Sequence, residues 1–435
     1  MKGKRILVWF KTNLRLLDNE ALVAACEKAS AVFPVYIIDD RMFQTQALGF
    51  PKTGAFRTRF LLESLHDLQS SLRQHEAGLL VFRGRPEEII PRLALELKVS
   101  AVYAEREVTD EELRIQNQVE QRCEAKGIAM RLFWQHTLYH LEDIPWPIQH
   151  LPDTFTHFRK EAEQEAIIRP ALPIPVSIPF TNEIGSEAIP TLQQLGFSEP
   201  EQDPRAAIHF HGGESQALAR MKEYIWEKDR LKIYKETRNE LLGADYSSKF
   251  SPWLSLGCIS PKTIYEEVRR YERERVKNDS TYWLIFELMW RDYFRFAAKK
   301  YGNRIFQLNG LGKKNMTLKE DRDTFEQWRQ GETNIPFIDA NMKELLHSGF
   351  MSNRGRQNVA SVLVKDLKIN WTWGAAWFES QLIDYDPTSN WLNWAYVAGV
   401  GNDPREDRYF NTESQVRKYD PHGHYMDHWL ATNKA

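Results

Sequence analysis

The sequence predicts an α/β N-terminal domain, built on a doubly wound parallel sheet, followed by an all-α C-terminal domain. Three observations carry this. Short β-branched, apolar runs alternate with helical patterns across residues 5–130, as in a parallel sheet with helices on both faces. Ten of the twenty prolines then fall within residues 145–204, a density that no long helix or central strand survives. From about Gly212 helical periodicity dominates, and eleven of the fourteen tryptophans lie after residue 205. The expected division is an α/β domain over residues 1–132, a proline-rich connector over 133–205 and a helical domain over 206–435.

Taken in order, Arg5–Phe10 (RILVWF), Ala31–Ile38 (AVFPVYII), Gly78–Phe82 and Val99–Ala104 have the short apolar character of buried parallel strands. Phe56–Gln74 and Glu87–Leu97 are helical between them. The connector is expected to hold short helices such as Asp153–Ile168. Helical periodicity then marks Glu214–Trp226, Pro261–Glu272, Thr281–Tyr301, Pro336–Ser348, Gln357–Leu367 and Ala375–Ile383.

The net charge of −2 gives no global basic signature for nucleic acid, although a local basic cleft is compatible with it. Cys26, Cys123 and Cys258 are far apart and form no CxxC pair, which fits a reducing compartment and argues against zinc. His209 and His211 lack neighbouring ligands, so no metal site is expected. Near the start only five apolar residues run consecutively, too few for a signal peptide, and no run is long enough to span a bilayer. A cytoplasmic monomer without membrane association is the expectation. GxGxxG after the first strand, GxxxxGK[ST], HExxH and GxSxG are all missing, which disfavours the usual nicotinamide, triphosphate, metalloprotease and serine-hydrolase sites.

Four segments carry candidate chemistry. Asp384–Asn411 (DYDPTSNWLNWAYVAGVGNDPREDRYFN) places two acids, two asparagines, two tryptophans and two tyrosines within thirteen residues, before a charge-dense turn. Asp384 and Asp386 are costly to bury unpaired, and Trp391, Trp394 and Tyr396 suit a planar partner or one another. Thr281–Tyr301 is apolar around most of its circumference, yet Glu287, Arg291, Arg295 and Lys299 form one polar line, flanked by Trp283 and Trp290. A structural ion pair is the alternative to a functional role. Asp245–Gly257 gathers Ser247, Ser248, Lys249 and Ser251 at a helix start, either a phosphate site or an ordinary N-cap with Pro252 in the first turn. Met351–Gln357 (MSNRGRQ) sets Asn353, Arg354, Arg356 and Gln357 between two helices, where paired arginines can clamp an anion or simply be solvated.

Together these segments resemble the photolyase/cryptochrome family, and within it the DASH-type cryptochromes. Trp9–Asn19 (WFKTNLRLLDN) is similar to the family's opening signature, with Lys11 where arginine is more usual. Glu287–Phe294, Ser352–Arg356 and Asp384–Asn411 match its flavin-domain motifs in order and spacing. The resemblance implies that the helical domain holds FAD folded in a U. It implies Tyr234 and the run Ser247, Ser248, Lys249, Phe250 and Ser251 at the FAD phosphates, with Arg291 and Asn353 also against the cofactor. Arg356 and Asp384 would pair beside the isoalloxazine, Asp386 would touch the flavin or ribose edge, and Asn390 would face flavin N5.

The chemistry implied is repair of cyclobutane pyrimidine dimers by electron transfer from light-excited reduced FAD. Glu287 would hydrogen-bond the flipped dimer and Trp290 would stack on it, with Arg238, Asn353, Arg354, Gln357 and Tyr396 as further DNA contacts. Gln357 and Tyr396 stand where enzymes for duplex DNA have methionine and tryptophan. A more polar pocket is expected to favour single-stranded DNA. Trp394 and Trp371 match the inner and middle members of a tryptophan relay that reduces the flavin. The outer position falls on Leu318, so either another ring, for example Trp373 or Trp328, completes the relay or photoreduction is impaired. A methenyltetrahydrofolate antenna is also implied, between the domains, with Glu107 as its contact; a surface acid opening a helix is the alternative for Glu107. The competing function is a blue-light photoreceptor whose flavin redox state regulates a partner or DNA binding. A light-independent flavin oxidoreductase is disfavoured, since no nicotinamide site is found.

Overall fold

A computed structural model describes residues 3–312, 316–402 and 408–431. Five strands, β1 (Lys4–Phe10), β2 (Ala29–Ile38), β3 (Leu80–Arg83), β4 (Ala101–Glu105) and β5 (Ala129–Phe133), form one sheet in the order β3-β2-β1-β4-β5. Every pairing is parallel. Helices α1 (Glu20–Lys28), α2 (Ala55–Gln74), α3 (Pro86–Glu96) and α4 (Asp110–Glu124) connect them. The continuous apolar run of β1 follows from its central place, with Ile6, Leu7, Val8 and Phe10 all inaccessible. The strand order reverses between β1 and β4, so a crevice opens beyond their C-terminal ends. Periodicity had not singled out α1, α4 or β5. Helix α4 is rich in charged and amide residues, and β5 is a five-residue strand at the sheet's edge with Arg131 at its centre.

The connector carries α5 (Phe155–Glu165), and most of its remainder is irregular, as its prolines require. The helical part comprises α6 (Glu214–Lys222), α7 (Tyr234–Thr237), α8 (Ser251–Ser255), α9 (Pro261–Glu274), α10 (Asp279–Tyr301), α11 (Arg322–Gln330), α12 (Pro336–Ser348), α13 (Asn353–Ser361), α14 (Trp371–Gln381), α15 (Pro387–Ala398), α16 (Thr412–Tyr419) and α17 (His424–Leu430). One face of the sheet shares a core with α2, α5 and α10 through Phe10, Leu65, Phe158 and Phe296. The other is covered by α3 and α4 through Leu93 and Val119. A separate helical core gathers Trp328, Val359, Trp371 and Trp394.

Two expectations are corrected. The Met351–Gln357 segment is not a turn between helices: α13 begins at Asn353, and Ser352 caps it by accepting from the Gly355 amide at 2.9 Å. Gly355 allows close packing inside this helix, since a Cβ would stand 2.0 Å from Asn341 Oδ1. Likewise α14 begins at Trp371 rather than Ala375, capped by Asn370. Its first turn holds two tryptophans and a threonine, whose low helix propensity tertiary packing overrides. No helix among the described residues is long and apolar enough to cross a membrane.

Candidate functional site

A cavity of about 450 Å³ opens between α10, the first turn of α13, α15 and the Ser247–Ser251 loop, within the range of small-molecule sites. At one end Ser247, Ser248, Lys249, Phe250 and Ser251 line it, beside Tyr234. Lys249 has φ +55, a left-handed turn that swings the loop into the cavity. Arg220, which no sequence motif marked, gathers the loop carbonyls: its guanidinium donates to the oxygens of Ala244, Ser247 and Ser248, and it pairs with Asp245 at 2.9 Å. The ordinary N-cap reading does not hold. Phe250 is the N-cap of α8 and makes no side-chain cap, while the hydroxyls of Ser247, Ser248 and Ser251 bond to nothing among the described residues. The Lys249 ammonium lies over the Tyr246 and Phe350 rings, 3.7 and 4.9 Å from their centroids, without a carboxylate partner among the described residues. Burial pulls its pKa down to about 7, against the nearby Glu344.

Deeper in, a second lobe of about 90 Å³ shares Asn353, Arg356, Gln357, Asp384 and Ser389 with the first and adds Asp386, Asn390 and Trp394. Arg356 reaches Asp384 at 2.8 Å and also donates to the Met351 carbonyl. The second carboxylate oxygen of Asp384, Oδ1, is buried without a hydrogen-bond partner. Asn390 donates to the Ala375 carbonyl at 3.0 Å, which fixes its amide. Asp386 caps α15 through the Ser389 amide at 2.7 Å and accepts from Thr388. Burial alone would raise its carboxyl, but Arg291, Arg295 and His136 outweigh it and hold the group well below the usual range. Asn353, the first residue of α13, is exposed and lines both lobes.

The polar line of α10 separates into distinct contacts rather than an internal ion pair. Glu287 meets Arg238 at 2.6 Å at the cavity mouth. Burial raises its carboxyl, opposed by Arg238. Arg291 donates to the His136 and Leu254 carbonyls and borders the cavity. Arg295 faces away, 3.7 Å from Glu107. Trp290 stacks on Phe155, 3.8 Å between centroids at 13°, and meets Tyr396 edge-on at 6.1 Å. The Tyr396 hydroxyl accepts from Arg408 at 2.8 Å, a mouth residue that lay unmarked in the charge-dense turn. Residues 403–407 of that turn lie outside the described residues. Arg354 does not itself line the cavity: its guanidinium lies over Tyr419 and donates to Gln357 and Asn239. Trp394 and Trp371 are both buried, but the tryptophan in ring contact with Trp371 is Trp391, at 5.8 Å.

A further cavity of about 180 Å³ occupies the crevice beyond β1 and β4, walled by Lys11, Tyr36, Arg41, Glu107, Arg295 and Tyr385 among others. Glu107 is 6% exposed and pairs with Lys11 at 2.7 Å, so it is neither a surface acid nor the residue that opens α4. Asp386 and Tyr385 border both this cavity and the inner lobe. His211 contacts Glu63 at 3.3 Å, and no group of metal-ligating side chains occurs among the described residues.

Comparison with known proteins accords with this geometry. Residues 6–177 match the DNA photolyase family, and residues 283–435 match the FAD binding domain of DNA photolyase. The chain is 53% identical to a cryptochrome DASH of Gloeobacter violaceus, over 99% of this chain and 86% of that one. A solved Synechocystis cryptochrome superposes with a TM-score of 0.95 at 50% identity, covering 99% of this chain and 89% of that one. A class III photolyase of Agrobacterium tumefaciens superposes at 0.85 with 27% identity, covering 99% and 87%. Sharing about half its residues with such proteins along nearly its whole length, the chain belongs to the photolyase/cryptochrome family, among the DASH-type cryptochromes.

Proposed function

We propose that the two-lobed cavity binds FAD and that the protein splits cyclobutane pyrimidine dimers in blue light, preferentially in single-stranded DNA. The observation that carries the reading is the cavity's unmatched polar groups. An uncompensated Lys249 and free serine hydroxyls at one end suit a diphosphate. The buried, unpartnered Asp384 Oδ1 at the other end suits an N–H donor on a flat ring. Asn390 and Asp386 lie beside that acceptor, and Arg291 borders the outer lobe. When bound there, reduced and photoexcited FAD supplies the single electron that opens the cyclobutane ring.

The chain's own residues set everything around that electron. Arg356 holds the Asp384 carboxylate in place. Asn390, anchored by Ala375, presents an amide of fixed direction. Glu287, held by Arg238, offers its carboxylate at the mouth to a base N–H. Trp290, backed by Phe155, offers its remaining surface for stacking. Gln357 and Tyr396 line the mouth with their polar ends held by Arg354 and Arg408. That gives less apolar surface to draw a dimer out of a duplex, where unstacking is costlier than in a single strand. The β1/β4 crevice, with Glu107 in its wall, suits a methenyltetrahydrofolate antenna placed beside the inner lobe.

Purified protein loaded with reduced FAD should repair dimers in single-stranded oligonucleotides faster than in duplex under blue light. Equal rates on the two substrates would sink the single-strand preference. A lack of repair on both, with FAD bound, would leave the photoreceptor reading instead.

A further inference from the structure

The last turn of α6 carries an arginine that the cavity never meets. Arg220 is 6% exposed and stands outside the cavity wall, yet its whole fork of N–H groups is committed. Its Nε donates to the Ser248 carbonyl at 3.3 Å. One terminal nitrogen donates to the carbonyls of Ala244 and Ser247, at 3.1 and 3.5 Å. The other reaches Glu223 and Asp245, each at 2.9 Å. After α6 the chain winds into a π turn, Glu223–Glu227. That wider turn brings Lys228 beside Glu223 at 2.7 Å, and Lys228 also meets Asp245 at 2.9 Å. Arg220 and Lys228 therefore balance Glu223 and Asp245, and the cluster adds no net charge to the site. Whatever Arg220 contributes there must pass through the loop it holds.

We infer that Arg220 is a positioning residue for the cofactor's diphosphate: it turns the peptides of the Ala244–Ser248 loop so that their free N–H groups are left for an anion. This role rests on the diphosphate reading of that end of the cavity. A trans peptide unit points its C=O and its N–H in opposite directions. With the Ser247 and Ser248 carbonyls on Arg220, the amides of Ser248 and Lys249 point away from it. Those two amides donate to nothing among the described residues, and they belong to the stretch that lines the cavity. Successive unpaired amides on one turn make an anion-binding concavity. Without the guanidinium the loop would reach this arrangement only when the ligand arrives, and the cost of ordering it would come out of the affinity. Lysine cannot substitute, because an ammonium is a point charge without the planar spread of donors that three carbonyls and two acids require.

Full-length apoprotein is titrated calorimetrically with FAD and with ADP, which lacks the flavin. Arg220→Lys keeps the charge and loses the fork. It should weaken FAD and ADP by the same factor, roughly ten- to a hundredfold, from the reordering of one or two freed residues. The absorption bands of the flavin that does bind should match wild type, because the inner lobe is untouched. Arg220→Ala should regain ADP affinity in millimolar guanidinium chloride but not in the same concentration of sodium chloride. Unchanged affinity in Arg220→Lys, or a shifted flavin spectrum, would overturn the role. Trypsin gives a reading that needs no variant. The bond after Lys249 should resist cleavage in the wild-type apoprotein, and ready cleavage there would overturn the preformed loop even if the variants fail to fold. Wild type that takes up FAD but not ADP refutes the positioning alone, whereas wild type that takes up no FAD refutes the cavity reading beneath it.

Discussion

Replacing Lys249 with methionine separates what this residue costs the empty fold from what it offers a bound anion. Lys249 is 5% exposed and forms no ion pair among the described residues. Burial is the main cause that moves its pKa from 10.5 to about 7, with Glu344 opposing. At about 1.4 kcal/mol per pH unit, this is a penalty of order 5 kcal/mol on the charged form. The folded pKa lies below the unfolded one, so the stability linked to this group is present above about pH 10.5 and lost as pH falls through about 7. Lys249→Met should therefore stabilise the cofactor-free protein at neutral pH by a few kcal/mol in denaturant unfolding. A diphosphate favours the charged form, so FAD binding should take up as much as one proton above about pH 7, and affinity should weaken as pH climbs further. In Lys249→Met that uptake disappears, and affinity below about pH 7 falls by roughly ten- to a hundredfold, the worth of one charge-assisted hydrogen bond. Calorimetric titration of apoprotein with FAD, in buffers of different ionisation enthalpy, reads both quantities. Equal proton uptake in the two proteins, or equal affinity at low pH, would refute the assignment.

Asp384→Asn leaves Arg356 without its acid. A fully buried pair would lose about 3–5 kcal/mol, but the Arg356 side chain is 24% exposed and keeps the Met351 carbonyl, so about 1.5–3 kcal/mol is expected, read as weaker FAD retention on dilution. Retention equal to wild type would count against a cofactor contact at Oδ1. Gly257→Ala should lower the unfolding midpoint by more than the roughly 1–2 kcal/mol of its left-handed backbone, because a Cβ would stand 2.0 Å from the Thr12 carbonyl. A midpoint within error of wild type would show that the contact between the α8–α9 turn and the loop after β1 yields freely. The double variant Gln357→Met with Tyr396→Trp adds apolar stacking surface worth about 1–3 kcal/mol per base, and should raise duplex repair relative to single-strand repair. A ratio that does not move would place the strand preference elsewhere.

What could be read in advance follows from how local each signal is. Strand β1 announces itself because a strand buried on both faces has no polar alternation, and α10 because Asn278 and Thr281 box its start while Gly302 ends it. The Arg356–Asp384 pair is joined across two helical elements, so no spacing rule predicts it, and only the match to a family pattern brought the two together. Other buried charges had no signal of any kind. Asp292 looks like a surface acid of α10, yet it accepts the Leu138 and Tyr139 amides at 2.9 and 2.8 Å, and burial raises its pKa to about 7. Glu214 likewise receives the Leu16 and Leu17 amides at 2.8 and 2.9 Å, fastening α6 to the loop after β1. Such residues dock the helical part on the sheet, and their partners are more than a hundred residues away. The packing of Arg354 could not be read for the same reason. Its neighbours in sequence face the cavity, but one position further round the helix the side chain meets Tyr419 instead.

The charges around the cavity explain why an acidic chain can still build a site for anions. Each acid near the mouth is already engaged: Glu287 by Arg238, Asp384 by Arg356, and Asp245 by Arg220 and Lys228. Lys249 remains without an ion pair among the described residues, so that end of the concavity carries local positive charge although the chain totals −2. Leaving a cation this buried is costly, and selection for stability alone would replace it. Its retention makes physical sense if the missing counter-charge arrives with the ligand. The empty fold then bears a strain that binding removes, and cofactor affinity and apoprotein stability are set against each other at the same residue.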